Sequence, residues 1–330
     1  MMNAQWFEQA LVQFSPFALT CTLIFALFLD TVLGEPKKYH YLIGFGHIAS
    51  CAEQQLNQYK TSQKTFSLFN AFLGAISWCI LILPICYLSY CLVSALPSAV
   101  KYIVEALLLY LALGLQSLNQ HAMQVYKPLK QGDLVAARHY TGYLVSRDTQ
   151  GLSPEDMSRA TVESMLENGH DAVIASLIFY IIGGIPLVIL HRLSNTLDAM
   201  WGYRTQRFNS FGYFAARADD VLGFFTGKIC VLLYAFQQPF THAIRNAYQQ
   251  GNHYKSHNGG WVMASGATVM NRKVGGNASY HGKTVRSPQL GHGKAITVDD
   301  IPRSITVVRK AAIILILLVF SYQLFNYFTI

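Results

Sequence analysis

Charge is scarce in this chain. Only 13% of its 330 residues are Asp, Glu, Lys or Arg, against 52% hydrophobic ones, whereas a soluble domain carries about a quarter charged residues. The phosphate loop, the dinucleotide fingerprint, the His-Glu-x-x-His zinc pair and the Gly-x-Ser-x-Gly elbow are all missing, so none of those common chemistries is signalled. Six cysteines, Cys21, Cys51, Cys79, Cys86, Cys91 and Cys230, form no Cys-x-x-Cys pair, and most lie in apolar runs. They read as small buried hydrophobes and not as disulfides or metal ligands. No basic helix interleaved with aromatics is present, which argues against nucleic acid as a partner despite a net charge of +8. No Lys or Arg precedes the first apolar run, and residues 33–35 are not a small-x-small cleavage site. That run reads as a retained anchor, not a signal peptide.

What is present is long uncharged sequence. The runs 9–29, 66–96 and 311–328 contain no charged residue, and the last would reach about 27 Å as a helix, close to a bilayer core. Pro84 interrupts the second, which lipid-embedded helices tolerate as a kink. The expected fold is all-α, a polytopic membrane helical bundle of about four to five spans forming one membrane-embedded domain over 1–330. The spans are placed near 11–29, 66–96, 101–118 and 311–329. Residues 173–190 are apolar but broken by Gly183-Gly184-Ile185-Pro186, so 172–190 reads as a re-entrant hairpin or as one kinked crossing helix. Lys37, Lys38, Lys60 and Lys64 follow the first span while none precedes it. The positive-inside rule then puts both termini in the periplasm and the loops 30–65, 119–171, 191–220 and 237–310 in the cytoplasm of a bacterial inner-membrane protein. Cationic loops also suit an anionic lipid leaflet and anionic substrates. The stretch 237–303, rich in Gly, His and Asn, reads as a long loop with too few periodic apolar residues for a core.

The few charges are concentrated. They run through Arg147-Asp148, Arg159, Glu163, Glu167-Asn168 and Asp171, then resume at Asn195, Asp198, Arg204, Arg217 and Asp219-Asp220. Ser153 is a suitable N-cap with Pro154 at the first helical position and Asp156 three residues on, so a helix starts there; Gly169 would end it, and Asp171 would cap the next. Arg159, Glu163 and Glu167 then share one helix face. Carboxylates of this kind hold Mg²⁺, and Arg147, Arg204 and Arg217 suit phosphate or carboxylate oxygens. Such a set fits phosphoryl transfer, but spacing alone does not separate it from a structural ion-pair network.

The runs Tyr143-Leu144-Val145-Ser146-Arg147-Asp148-Thr149 and Ser158-Arg159-Ala160-Thr161-Val162-Glu163-Ser164, followed by Glu167-Asn168 and Asp171, closely resemble the CobD/CbiB family of cobalamin biosynthesis, the adenosylcobinamide-phosphate synthases. So do Gly183-Gly184, Asn195-Thr196-Leu197-Asp198, Gly202-Tyr203-Arg204, Phe211-Gly212, Ala216-Arg217 and Asp219-Asp220. The resemblance implies an inner-membrane enzyme that joins adenosylcobyric acid to (R)-1-amino-2-propanol phosphate, or to ethanolamine phosphate, as an amide with ATP consumed. It implies a catalytic role for Glu163, Glu167 and Asp148, and Mg²⁺ held by Asp198, Asp219 and Asp220. Arg147, Arg159, Asn168, Asn195, Arg204, Arg217, Asn258 and Trp261 would contact substrate or phosphate. Its partners would be the corrinoid, the amino-alcohol phosphate and the bilayer; a homo-oligomer, or association with other membrane proteins of cobamide assembly, stays open. The chain departs from the family where Ser-Pro-Asn-x-x-Trp-Pro-Glu is usual and Ser256-His257-Asn258-Gly259-Gly260-Trp261-Val262-Met263 stands, which removes a carboxylate. The alternative reading is a catalytically impaired membrane paralogue with a sensing or regulatory role, AmpE-like.

Overall fold

The computed structural model describes residues 15–35, 41–58, 65–145, 147–280 and 283–329. Lys37, Lys38, Lys60 and Lys64, on which the orientation rests, lie outside the described residues, as does Ser146. The architecture is helical: α1 (Ala18–Leu33), α2 (Tyr41–Leu56), α3 (Leu68–Ser94), α4 (Ser98–Ala112), α5 (Leu115–Gln131), α6 (Leu134–Leu144), α7 (Pro154–Gly169), α8 (Ala175–Trp201), α9 (Tyr213–Ala235), α10 (Phe240–Gly251), α11 (His257–Val269) and α12 (Asp300–Thr329). Among the described residues, four helical stretches are long and apolar enough to cross a membrane: Leu68–Ser94, Val100–Gln131, Pro154–Trp201 and Asp300–Thr329. Ala18–Leu33 is a shorter apolar helix. In the third stretch only 173–190 is free of charge, so polar α7 lies outside the membrane-compatible part. Ile80, Tyr87, Leu88, Tyr90 and Leu92 of α3 are each more than half exposed. Water would penalise such a face, and lipid would not.

The chain divides into two compact units: 1–113 with 176–222 and 316–330, and 114–175 with 223–315. In the first unit, Trp78 and Ile82 of α3 pack with Phe45 and Ala49 of α2, Leu193, Leu197 and Trp201 of α8, and Phe211 and Ala215. Gly74 permits this, because a Cβ there would sit 2.8 Å from the Phe211 carbonyl carbon. Buried Glu53 accepts hydrogen bonds from Arg207 and Asn57, which ties α2 to the turn before α9. The glycine break in α8 is real: Gly183 leaves helical geometry (φ −154°, ψ 24°) and Gly184 takes φ 64°, a left-handed value that favours glycine. Phe179 and His191 stack with ring centroids 5.1 Å apart, although twelve residues of unbroken helix would separate them by about 18 Å. The chain therefore folds back at this point. Just before the turn, the Tyr180 hydroxyl donates to Glu105 Oε2 at 2.9 Å.

In the second unit, α7 begins as its sequence predicts. Ser153 Oγ accepts from the Asp156 amide at 3.1 Å and donates to the Asp156 carboxylate at 2.6 Å, with Pro154 in the first turn. The α-helix ends at Gly169 as expected, but without a break in the chain's helical course. Gly169 is helical, and the chain continues through a π-turn, His170–Ile174, into α8. Gly169 is a packing residue: a Cβ would lie 2.9 Å from Val308 Cγ1 and 3.2 Å from the Tyr234 hydroxyl. Asp171 does not cap a helix but faces His170 Nδ1 at 2.7 Å. The expected loop over 237–303 is also corrected. It holds α10, α11 and the strands β1 (Arg272–Gly275), β2 (Ala278–Tyr280), β3 (Lys283–Val285), β4 (Gln289–Gly291) and β5 (Lys294–Ala295). β1 lies between antiparallel β4 and parallel β5, while β2 and β3 pair as a separate antiparallel ribbon. Helix α11 is buried from Gly259 to Thr268. Its Gly, Ala and Ser residues reach a core by close backbone approach, as at Gly260, whose Cβ would meet the Gly251 carbonyl at 2.5 Å. A count of large apolar residues misses packing of that kind.

Candidate active site

Four of the residues singled out from sequence, Arg147, Glu163, Glu167 and Asn168, line one cavity of about 210 Å³ in the second unit. Helix α7 supplies Glu163, Ser164, Glu167 and Asn168 at one-turn spacing, so the capped start of the helix sets their register. The loop after α6 supplies Arg147 and is tethered by Arg138, which donates to the Leu152 carbonyl at 3.2 and 3.1 Å. Tyr254 and Lys255, between α10 and α11, and Met263 of α11 complete the wall.

Glu163 is the fixed point. Its Oε2 pairs with Arg147 Nη2 at 2.6 Å, its Oε1 accepts the Gly275 amide at 2.7 Å, and both side chains of the ion pair are over nine-tenths buried. Two hydrogen bonds on one carboxylate, one from a guanidinium and one from a backbone amide, fix its position. Glu167 differs. Burial first, then the like charge of Asp171, pushes its carboxyl up to about 7, with Lys255 opposing the rise and Glu163 adding to it. Gly259 makes the space for it: a Cβ there would be 3.0 Å from Glu167 Cδ. Asn168 Nδ2 donates to Ser164 Oγ at 2.9 Å, and Ser164 Oγ reaches the Leu144 carbonyl at 3.4 Å. The site thus combines two cations, a fixed carboxylate and a carboxyl poised to exchange a proton near neutral pH.

The other candidates lie elsewhere. Arg159 lines a neighbouring cavity and pairs with Asp156 at 2.7 Å. Asp148 is exposed and accepts the Gln150 amide at 3.1 Å. Asn258 lies close to Gly223, whose Cβ would be 2.7 Å from its Nδ2. Trp261 is buried, and its indole donates to Asn252 Oδ1 at 2.6 Å, with Phe224 and Tyr248 around the ring. Asn195, Asp198, Arg204, Arg217, Asp219 and Asp220 belong to the first unit. There Arg204 is exposed, and Arg217 pairs with Asp220 at 3.2 Å. Among the described residues no group of three or more His, Cys, Asp or Glu is gathered as a metal site. Asp198, Asp219 and Asp220 therefore make no preformed cage of three ligands. The sequence reading missed Ser164, Tyr254, Lys255 and the Gly275 amide; only Ser164, one turn from Asn168, carried a periodic signal. Met263, where the family resemblance expects Glu, sits in the cavity wall.

No solved structure matches this chain. The family described as CobD/Cbib protein matches residues 23–308. A cobalamin biosynthesis protein CobD of Stutzerimonas stutzeri is 42% identical over 287 residues, covering 87% of this chain and 92% of the relative. One from Chromobacterium violaceum is 40% identical over 286 residues, covering 86% and 90%. A more distant CobD from Halalkalibacterium halodurans is 31% identical over 301 residues, covering 88% and 92%. With a family match over most of its length and relatives at this identity, the chain belongs to the CobD/CbiB family of cobalamin biosynthesis.

Proposed function

We propose that the protein is an ATP-dependent ligase that joins adenosylcobyric acid to (R)-1-amino-2-propanol phosphate or ethanolamine phosphate, releasing adenosylcobinamide phosphate or its homologue. The observation that carries this reading is a carboxyl poised near pH 7 beside two cations, in a cavity sized for a small phosphate ester. An amine reaches this site as an ammonium ion and must lose a proton before its nitrogen can attack. Glu167, with its carboxyl near 7, is a base matched to that step at neutral pH. Arg147 and Lys255 neutralise the phosphate, and Asn168 supplies an orienting amide. At about 210 Å³ the cavity is below the usual range for a cofactor-sized ligand, so the corrinoid would present only its propionate here. The carboxylate is activated by transfer of the ATP γ-phosphoryl group to one of its oxygens, giving an acyl phosphate and ADP. The amine nitrogen then forms the C–N bond as the acyl C–O bond breaks and inorganic phosphate leaves. Asp198, Asp219 and Asp220 are the carboxylates that would hold Mg²⁺, which would supply charge neutralisation for the nucleotide phosphates. Cytoplasmic orientation of this unit would give it access to ATP.

Purified protein given Mg-ATP, adenosylcobyric acid and aminopropanol phosphate is expected to form the amide, read by mass spectrometry. Absence of product, with a close homologue active in the same detergent, would sink the enzyme reading. One observation favours the second reading, a sensing paralogue: Met263 places a thioether in the cavity wall where a carboxylate is usual. In that case ligands bind and no product forms.

A further inference from the structure

Behind Glu163 lies a second cavity of about 200 Å³, lined among others by Glu155, Arg159, Lys273, Gly275, Gln289 and Gly293. Glu163, which lines the first cavity, touches two residues that line the second. Glu163 faces the first cavity and accepts the amide of Gly275, which lines the second, at 2.7 Å. Arg159 lines the second, and its Nε is 3.9 Å from Glu163 Oε1.

The guanidinium of Arg159 is aimed before any ligand arrives. Asp156 takes one terminal nitrogen at 2.7 Å and the Asn277 carbonyl accepts from it at 3.3 Å, so little entropy remains to be lost when an anion binds. Lys273 is exposed at the cavity edge, on β1, with its backbone held in register opposite Gly291 and Ala295. Arg159 and Lys273 line the cavity with Glu155; Asp156 and Glu163 also lie against Arg159 and offset its charge, so Lys273 carries the charge for an incoming anion and Arg159 the directed N–H bonds. A fixed guanidinium together with a mobile ammonium is the donor set for a phosphate group, which the first takes through directed N–H bonds and the second as a point charge. Gly275 and Gly293, both with positive φ, contribute only backbone to the lining.

We infer that the cavity formed by Arg159, Lys273 and the glycine-rich strand edge is a second phosphate-binding subsite, separated from the amine pocket by Glu163. The phosphate belongs either to the nucleotide or to a phosphate monoester, and the choice of these ligands rests on the ligase reading above. A two-cavity layout would hold the two phosphate-bearing substrates on either side of one immobile carboxylate, with their like charges kept apart.

The test is binding to the full-length protein in detergent, by isothermal titration calorimetry, of a non-hydrolysable ATP analogue with Mg²⁺, of ethanolamine phosphate and of inorganic phosphate. Lys273→Gln is expected to weaken one of them about tenfold, as loss of a charge-assisted contact does, and Lys273→Arg to restore it. Selective weakening of the ATP analogue assigns the subsite to the nucleotide; selective weakening of ethanolamine phosphate and inorganic phosphate assigns it to the monoester. Either result supports the inference. Wild-type affinity for all three in Lys273→Gln, or no binding of any of them to the wild type, overturns it. Failure of the ligase reading looks different: phosphate ligands bind with the expected dependence on Lys273, and no amide forms.

Discussion

Substitution of Gly259 by alanine tests the assignment of Glu167 with little interference from folding. The new Cβ would lie 3.0 Å from Glu167 Cδ and 3.5 Å from its Cγ, whereas carbon atoms rest at roughly 3.5–4.0 Å. The carboxyl end must therefore retreat by about 1 Å. It is the end of a flexible side chain, so the cost to stability is that of an off-rotamer χ angle, about 1 kcal/mol. The cost to chemistry is larger, since a 1 Å misplacement of a reacting group lowers rate by about 10²-fold, or about 2.7 kcal/mol of barrier. The expected result is a fall of about two orders of magnitude in kcat/KM for amide formation, with thermal unfolding nearly unchanged. Gly260→Ala serves as the contrast. Its Cβ would meet the Gly251 carbonyl oxygen at 2.5 Å, a backbone atom that cannot swing aside, so this neighbour should lose stability first. Wild-type turnover in Gly259→Ala would refute the role of Glu167 as the proton acceptor. Equal losses of stability in the two variants would refute the geometric argument.

The ligase rate should rise with pH through about 7, because the raised carboxyl of Glu167 acts as a base only once ionised. Asp171→Asn removes a like charge, lowers the carboxyl and moves that limb to lower pH; an unmoved limb would dissociate Asp171 from it. The same raised carboxyl holds a proton in the folded chain that the unfolded chain has released, so its contribution to stability is full below about 4.3 and is lost as pH rises through about 7. Glu163→Ala should lower stability by about 3–5 kcal/mol, seen as a drop in apparent Tm, since it leaves buried Arg147 without its counter-charge; a neutral effect would mean that Arg147 escapes to solvent. In the first unit, burial opposes ionisation of Glu53 but hydrogen bonds from Arg207 and Asn57 outweigh it and hold the carboxyl below its ordinary value. The stability it contributes is present above about pH 4.3 and lost as pH falls. Arg207→Met should flatten that acid limb in thermal melts at pH 3–7, and an unchanged limb would rule the pair out as its source.

Some of this was legible along the chain because its cause is local. Long apolar runs have few stable homes other than membrane helices, so three expected spans, 66–96, 101–118 and 311–329, fall on helices long and apolar enough to cross, while 11–29 falls on the shorter helix Ala18–Leu33. The start of α7 followed from Ser153, Pro154 and Asp156, which satisfy the first amides of the helix within four residues. The break at Gly183-Gly184 followed from the backbone freedom of glycine ahead of Pro186. Once α7 was helical, its periodicity put Glu163 and Glu167 on one face, and the family motifs pointed to the same residues.

Tertiary structure alone decided the rest. Gly169 and Gly259 look like helix breakers in the sequence, yet one is required by Val308 and Tyr234 and the other by Glu167, all distant in the chain. The buried helix α11 was hidden because its packing depends on small residues meeting backbone, which leaves no stripe of large apolar residues to read. The polar block, continuous in sequence character, is divided between two compact units. The carboxylates of α7 differ by environment, not by type. Glu163 is held in place by Arg147 and by the Gly275 amide, the latter from more than a hundred residues away, while Glu167 is raised by burial and Asp171. Local sequence fixes which groups are available; which of them is locked in place and which exchanges a proton depends on the dielectric and partners that only the folded chain assembles.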